Sequence, residues 1–351
     1  MSGNTSLFYT GTYTREDEPG IFLCSLDLDS GRMEIVNSTD GIANSSFLAM
    51  NEAKDRLYAV SETDEGEVFA YSVDAETGGL HLLDRKPTNG SAPCYISLTR
   101  DGSNVLVANY TSGHVNAYQI GSNGELVPSS LIQHKGGSVN QERQEGAHPH
   151  SVFQDPNGKY ALVCDLGLDE IVFYRLEEGE LVSHYTVKTA PGTGPRHFDF
   201  HPSGRWAYGI NELDDTVNVY AFDAEAGDLK ILQTLSALPE GAPQGSASAD
   251  IHVTPCGRFL YASNRSEDSI GLYHINPSTG MLTAVEWVST SGKAPRNFAI
   301  FRGGYVLAAN QNSNTIVSFK IDKVSGRLTP TGFVLEVPKP VCILPTQKCG
   351  H

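Results

Sequence analysis

Apolar and polar positions alternate along this chain in short runs, each about half a dozen residues long and closed by a turn. The stretch from Ser151 is representative: SVFQ, the turn DPNGK, then YALVCD and, after LGLDE, IVFYRL. Alternation of period two, with β-branched and aromatic residues flanking DG, NG or SG turns, predicts antiparallel hairpins. With 35 Gly and 18 Pro in 351 residues, turns are frequent and long helices are not expected.

The hairpins repeat. Five segments can be laid over one another, beginning with GSAPCYISLTRDG at Gly90, GAHPHSVFQDPNG at Gly146, GTGPRHFDFHPSG at Gly192, GSASADIHVTPCG at Gly245 and GKAPRNFAIFRGG at Gly292. Their starts are 56, 46, 53 and 47 residues apart. A weaker copy begins near Gly41, and a truncated one opens with PKPVCILPT at Pro338. Most copies carry a fourth strand after a Gly turn, as in GGLHLLDRK. Four strands at this period describe a β-propeller blade. The expectation is an all-β, seven-bladed propeller forming a single domain over residues 1–351, with blades starting near 41, 90, 146, 192, 245, 292 and 338. The N-terminal segment SLFYTGTYTREDEPGIFLCSLDL would complete the last blade, leaving no open sheet edge. Six blades is the alternative.

Antiparallel pairing puts the start of each first strand and the end of each second strand on one face, at the mouth of the central channel. The first slot holds Ser46, Cys94, His150, Arg196, Ala249, Arg296 and Val341. The second holds Glu62, Tyr110, Leu166, Glu212, Arg265 and Gln311, with Tyr13 for the closing blade. Unlike the scaffold positions, these differ from copy to copy, which marks a site. The third, fourth and fifth copies are the richest, adding His148, His197, Asp250 and His252. Imidazole, carboxylate and guanidinium groups at one mouth can activate water, move a proton and hold an anion. The structural alternatives are a backbone-bonded His148 or His150, and salt bridges between blades joining Arg196 and Arg265 to Glu212 or Asp250. His197 reads as a packing or hydrogen-bonding residue, and His201 as part of a surface turn.

The net charge of −16 argues against a nucleic-acid partner. No basic and apolar leader and no long apolar span is read, so a soluble cytoplasmic protein without membrane contact is expected, monomeric or weakly self-associating. The six cysteines, Cys342 and Cys349 included, form no CxxC pair and read as free thiols. There is no GxSxG elbow, HExxH or EF-hand loop. Arginines among the mouth residues favour an anionic ligand over a metal, so no metal and no cofactor is expected.

On HPHSVFQDPNGKYALVCDLG, GPRHFDFHPSGRWAYGINEL and ADIHVTPCGRFLYASNR, the chain resembles the seven-bladed lactonase family along nearly its whole length. Cys256 departs from the family's usual Asp, but in a turn away from the site. The resemblance implies a hydrolase of an anionic lactone, foremost 6-phosphogluconolactone in the pentose phosphate pathway. Another sugar lactone, or a carboxymuconate cycloisomerase, is the alternative within the fold. A non-enzymatic binding platform is the alternative outside it. In the muconate branch the resemblance implies a catalytic His, Glu and two Arg, which fall on His148 or His150, Arg196, Glu212 and Arg265. The roles expected are Glu212 or His148 as base and Arg196 on the oxyanion or ring ester. Arg265 and Arg296 would hold the distal anion, with Asp250 and His252 among the substrate-binding residues. The −16 average then requires a locally positive mouth.

Overall fold

The alternating runs become seven four-stranded antiparallel sheets. The computed structural model describes residues 4–243, 245 and 247–347, so Cys349 lies outside the described residues. Among the described residues there is no α-helix, and the one helical element is a 3-10 turn at Gln311–Ser313. The innermost strands of blades 1 to 7 are Leu48–Met50, Pro93–Leu98, Pro149–Gln154, Pro195–Phe200, Ser248–Val253, Pro295–Phe301 and Pro340–Pro345. Each contacts both neighbours around the ring. Blade 7 takes its inner strand from the C-terminal segment and its outer three from Thr5–Thr12, Ile21–Asp27 and Met33–Thr39. Register runs from Gly11 opposite Cys342 to Phe8 opposite Pro345, so main-chain bonds close the circle.

The inner strands of each blade show one face to each neighbouring blade and are covered on both, whereas the outermost strands are largely exposed. The buried apolar side chains therefore collect into seven clusters, one per blade interface. Tyrosines reinforce them by donating across the gap: Tyr9 to the Gly78 carbonyl at 2.7 Å and Tyr261 to that of Gly326 at 2.6 Å. Gly326 has φ +75°, and a Cβ there would lie 2.6 Å from Phe259, so only glycine permits this approach.

On the site face, polar turn residues tie each blade to the next. Asp169 accepts from the backbone N–H of Gly192 (2.7 Å) and Gly194 (2.8 Å). Asp215 accepts from Gly245 and Ser248, Asp268 from Ala294, and Asn314 from Lys339. These bonds hold the entrance of each inner strand in a left-handed conformation, with φ of 65° at Gly194, 61° at Ala247, 56° at Ala294 and 39° at Lys339. A register shift follows at once, falling at Cys94, His150, Arg196, Arg296 and Val341, and across Ala249 and Asp250 in blade 5. These are the first-slot residues. A bulged residue leaves the ladder and its side chain is re-aimed, here toward the mouth.

Ring closure depends on the packing of the closing blade as well as on its hydrogen bonds. Phe8 is fully buried and meets Phe301 of blade 6 edge to face at 5.4 Å. Phe8→Ala is expected to cost about 3–5 kcal/mol of unfolding free energy, measured by denaturant titration. An unchanged midpoint would show that the N-terminal strand is dispensable for closure.

Candidate active site

Three guanidinium groups meet on one carboxylate at the mouth. Glu212 follows the second strand of blade 4 and is 3% exposed. Its Oε2 accepts from Arg196 Nε at 2.8 Å and lies 2.7 Å from Arg265 Nη2, while its Oε1 accepts from Arg143 Nη2 at 2.5 Å. Arg196 also donates to the Ala249 carbonyl at 2.5 Å, and Arg265 Nε to the Ala247 carbonyl at 2.9 Å. The Arg265 Nη2 pair is close but not aligned as a hydrogen bond, which leaves that donor capacity over. Burial alone would raise the Glu212 carboxyl, but Arg265, Arg196 and Arg143 outweigh it and hold it well below the usual carboxylate range. Burial and the neighbouring guanidinium groups in turn lower Arg196 to about 10.

The two histidines flanking Pro149 gather around Tyr110. His148 stacks on its ring at 4.5 Å and His150 meets it edge-on at 5.5 Å. His148 Nδ1 lies 2.9 Å from the Tyr110 carbonyl, which can only accept, so Nδ1 carries a proton. Its Nε2 is already covered by Glu145 Oε1 at 3.2 Å. Among the described residues, the one polar contact of a His150 ring nitrogen is Nδ1 with the Cys94 sulfur at 3.9 Å. Burial, then Arg196, His197, Arg296 and Arg265, push His150 well below its ordinary value, so its ring is neutral. Arg296 lies over the Tyr13 ring, 5.5 Å from its centre, and among the described residues it forms no ion pair with a carboxylate within 4.0 Å, although Glu62 and Glu212 act on it electrostatically. Tyr13 donates to Glu62 Oε2 at 2.8 Å.

Beneath these groups lies an aromatic floor. Phe47 and Tyr95 stack at 4.1 Å, and His197, from the other side of the ring, meets both edge-on. This bears out His197 as a packing and hydrogen-bonding residue, its Nδ1 lying 2.8 Å from Asp250 Oδ1. Asp250 and His252, expected among the substrate-binding residues, are placed elsewhere. Asp250 is buried, and its oxygens are already engaged by His197, His252 at 3.0 Å, Asn297 at 2.6 Å and the backbone N–H of Ile251 and Phe298. Burial opposes the charge of His252, but Asp250 prevails and raises it to about 9. The two form an ion pair in which Asp250 is buried and the His252 side chain is 36% exposed.

The structure thus brings His148, His150, Arg196, Glu212 and Arg265 together, with Arg296 alongside. The salt-bridge alternative for Arg196 and Arg265 is realised on Glu212, and a carboxylate held by three cations is a poor proton acceptor that fixes the direction of its partners. Arg143 escaped the sequence reading because it lies outside the repeat. The 56-residue spacing between the second and third copies was its one trace. Glu62, Tyr110 and Tyr13 occupied the second slot but were not singled out. Among the described residues, no group of three or more His, Cys, Asp or Glu is placed to hold a metal ion.

Fold and mouth together define a seven-bladed propeller with an arginine-rich, anion-receptive centre. The chain belongs to the family described as Lactonase, 7-bladed beta-propeller, which it matches over residues 7–345. It is 36% identical to the 6-phosphogluconolactonase of Bacillus subtilis, over 95% of this chain and 97% of that one. It is 34% identical to that of Formosa agariphila, over 91% and 94%. The structure of a periplasmic gluconolactonase from Pseudomonas aeruginosa superposes with a TM-score of 0.92 at 31% identity, covering 97% of this chain and 99% of the other.

Glu212→Gln keeps the shape but removes the anion between buried cations, and is expected to lower stability by about 3–5 kcal/mol near neutral pH. Because the folded carboxyl is depressed, its contribution is complete above about pH 4.3 and is lost as pH falls below that. Thermal unfolding of both proteins across pH should show the gap narrowing in acid. A gap that is constant with pH would mean that Glu212 is not held as the anion.

Proposed function

We propose that this chain hydrolyses 6-phosphogluconolactone to 6-phosphogluconate. The observation that carries the reading is the mouth itself: a neutral imidazole with an open nitrogen set among four guanidinium groups. The relatives in Bacillus subtilis and Formosa agariphila that bear the name 6-phosphogluconolactonase support it.

His150 is the base, since Glu212 is held ionised by arginines and His148 Nε2 is covered by Glu145. Its Nε2 takes a proton from the water that adds to the lactone carbonyl carbon. The carbonyl electrons move onto oxygen, where Arg196 and Arg265 stabilise the developing charge in a site largely closed to water. Collapse of the tetrahedral intermediate breaks the ring C–O bond, and the imidazolium returns its proton to the departing alkoxide. One water is consumed, and the new carboxylic acid ionises. The charges that depress His150 are cationic, so a bound anion offsets them and restores basicity to the ring as the substrate arrives. Arg296, with no carboxylate partner, binds the distal phosphate.

This reading places the enzyme in the pentose phosphate pathway and in the cytoplasm, acting without metal or cofactor as a monomer or weak homo-oligomer. A second reading, an unphosphorylated sugar lactone, is favoured by the likeness to the Pseudomonas gluconolactonase.

Initial rates on a panel of lactones, with and without chelator, decide between them. The expected outcome is strong acceleration of 6-phosphogluconolactone opening, unaffected by chelator; no acceleration over the spontaneous rate would refute the proposal. His150→Gln is expected to reduce kcat about 100-fold or more with KM little changed, whereas a change in KM alone would assign His150 to binding.

A further inference from the structure

The connection from blade 2 to blade 3 occupies residues 134–148, where the entries to blades 2, 4, 6 and 7 need only 88–92, 189–194, 290–294 and 337–339. This long segment is firmly tied. His134 lies between Asp165 Oδ2 at 2.7 Å and the Tyr174 hydroxyl at 2.6 Å. Ser138 donates to Asp169 Oδ2 at 2.5 Å, and the fully buried Gln144 donates to the Leu166 carbonyl at 2.9 Å and to Asp169 Oδ1 at 2.8 Å. Arg143, beside that anchor, is therefore delivered to the mouth at a fixed position.

Its guanidinium differs from the other two on Glu212. Arg196 is 1% exposed and Arg265 17%, whereas Arg143 is 42% exposed. Its Nη2 is engaged by Glu212 and by the Tyr110 hydroxyl at 3.2 Å. Among the described residues, Nε and Nη1 have no hydrogen-bond partner, and the side chain is partly exposed. Glu212 thus orients the group without using up its donors. A lactone ester reacts best at the dry end of such a site, and a phosphate dianion, the most strongly hydrated part of the substrate, is least penalised at the wet rim. Each N–H that remains free can donate to a phosphate oxygen, and the guanidinium charge attracts the dianion.

We infer that Arg143, carried on the 134–148 loop, is a specificity-determining residue that binds the phosphate of the substrate through the N–H donors that Glu212 and Tyr110 leave free. The inference rests on the function proposed above and names the element that separates phosphorylated from unphosphorylated lactones.

The test compares full-length wild type, Arg143→Ala and Arg143→Lys on 6-phosphogluconolactone and on gluconolactone. It adds calorimetric titration with 6-phosphogluconate and gluconate, and thermal melts. In Arg143→Ala the ratio of kcat/KM for the phosphorylated over the plain lactone should fall roughly tenfold or more, mainly through KM. Lysine should restore only part of it, because a flexible ammonium is not pre-oriented on Glu212 and Tyr110 as the planar guanidinium is. Equal loss on both substrates, with or without a lower melting temperature, overturns the inference, as does an unchanged ratio. If wild type shows no preference for the phosphorylated lactone, the proposed function fails, and the titrations then decide about Arg143 alone. Weaker 6-phosphogluconate binding in Arg143→Ala, with gluconate unaffected, sustains the inference, and equal affinity for wild type and variant overturns it.

Discussion

The chemistry of this protein depends on one carboxylate shared by three guanidinium groups. Bringing Arg143, Arg196 and Arg265 together in a poorly hydrated site is unfavourable unless an anion lies between them. Glu212 supplies it, accepting on both oxygens and fixing the direction of groups from blade 4, blade 5 and the loop that enters blade 3. Such a cluster is costly in desolvation, and its value is positional: it presents cationic donors whose geometry is set before any ligand arrives. The same constraint makes Glu212 a poor proton acceptor, because its partners keep it ionised. His150, withdrawn from solvent, stays neutral among these cations, which suits it to the base role proposed above.

The scaffold that maintains this arrangement stores strain where the site is built. Ala92, Ala247 and Ala294 adopt left-handed backbone with φ of 52°, 61° and 56°, each at the entrance to an inner strand. A side chain is uncomfortable there, and turn residues such as Asp268 hold the chain in place by accepting from its N–H groups. The bulge that follows turns one residue out of the ladder in blades 2, 3, 4, 6 and 7 and two in blade 5. The seven apolar interfaces offset that strain, and a closed ring leaves no sheet edge at which it could relax.

The charge distribution follows from the same geometry. Acids such as Glu16, Asp17, Glu177 and Glu178 lie in exposed turns, where water screens them, while the arginines sit where it does not. Four guanidinium groups outnumber Glu212, Glu62 and the rim residue Glu145 at the mouth. A protein of charge −16 thereby keeps a positive centre, and long-range repulsion of an anionic ligand by the average field gives way to attraction at short range.

Sequence alone determined the strands, the repeat, the number of blades and the positions of the mouth, since alternation of period two and Gly-containing turns are local signals that each copy states again. It also located His150, Arg196, Glu212, Arg265 and Arg296, because equivalent slots that differ among copies stand out against a repeated scaffold. Tertiary structure alone decided what those residues can do. Glu212 as an anchor follows from counting its partners, which come from residues 143, 196 and 265. His148 and His150 differ only in what covers their ring nitrogens. Asp250 and His252, two positions apart on one inner strand, pair with each other. Arg143 belongs to no repeat, so nothing periodic could point to it. Periodicity is a property of neighbours along the chain, whereas protonation and hydrogen-bonding capacity are set by neighbours across it.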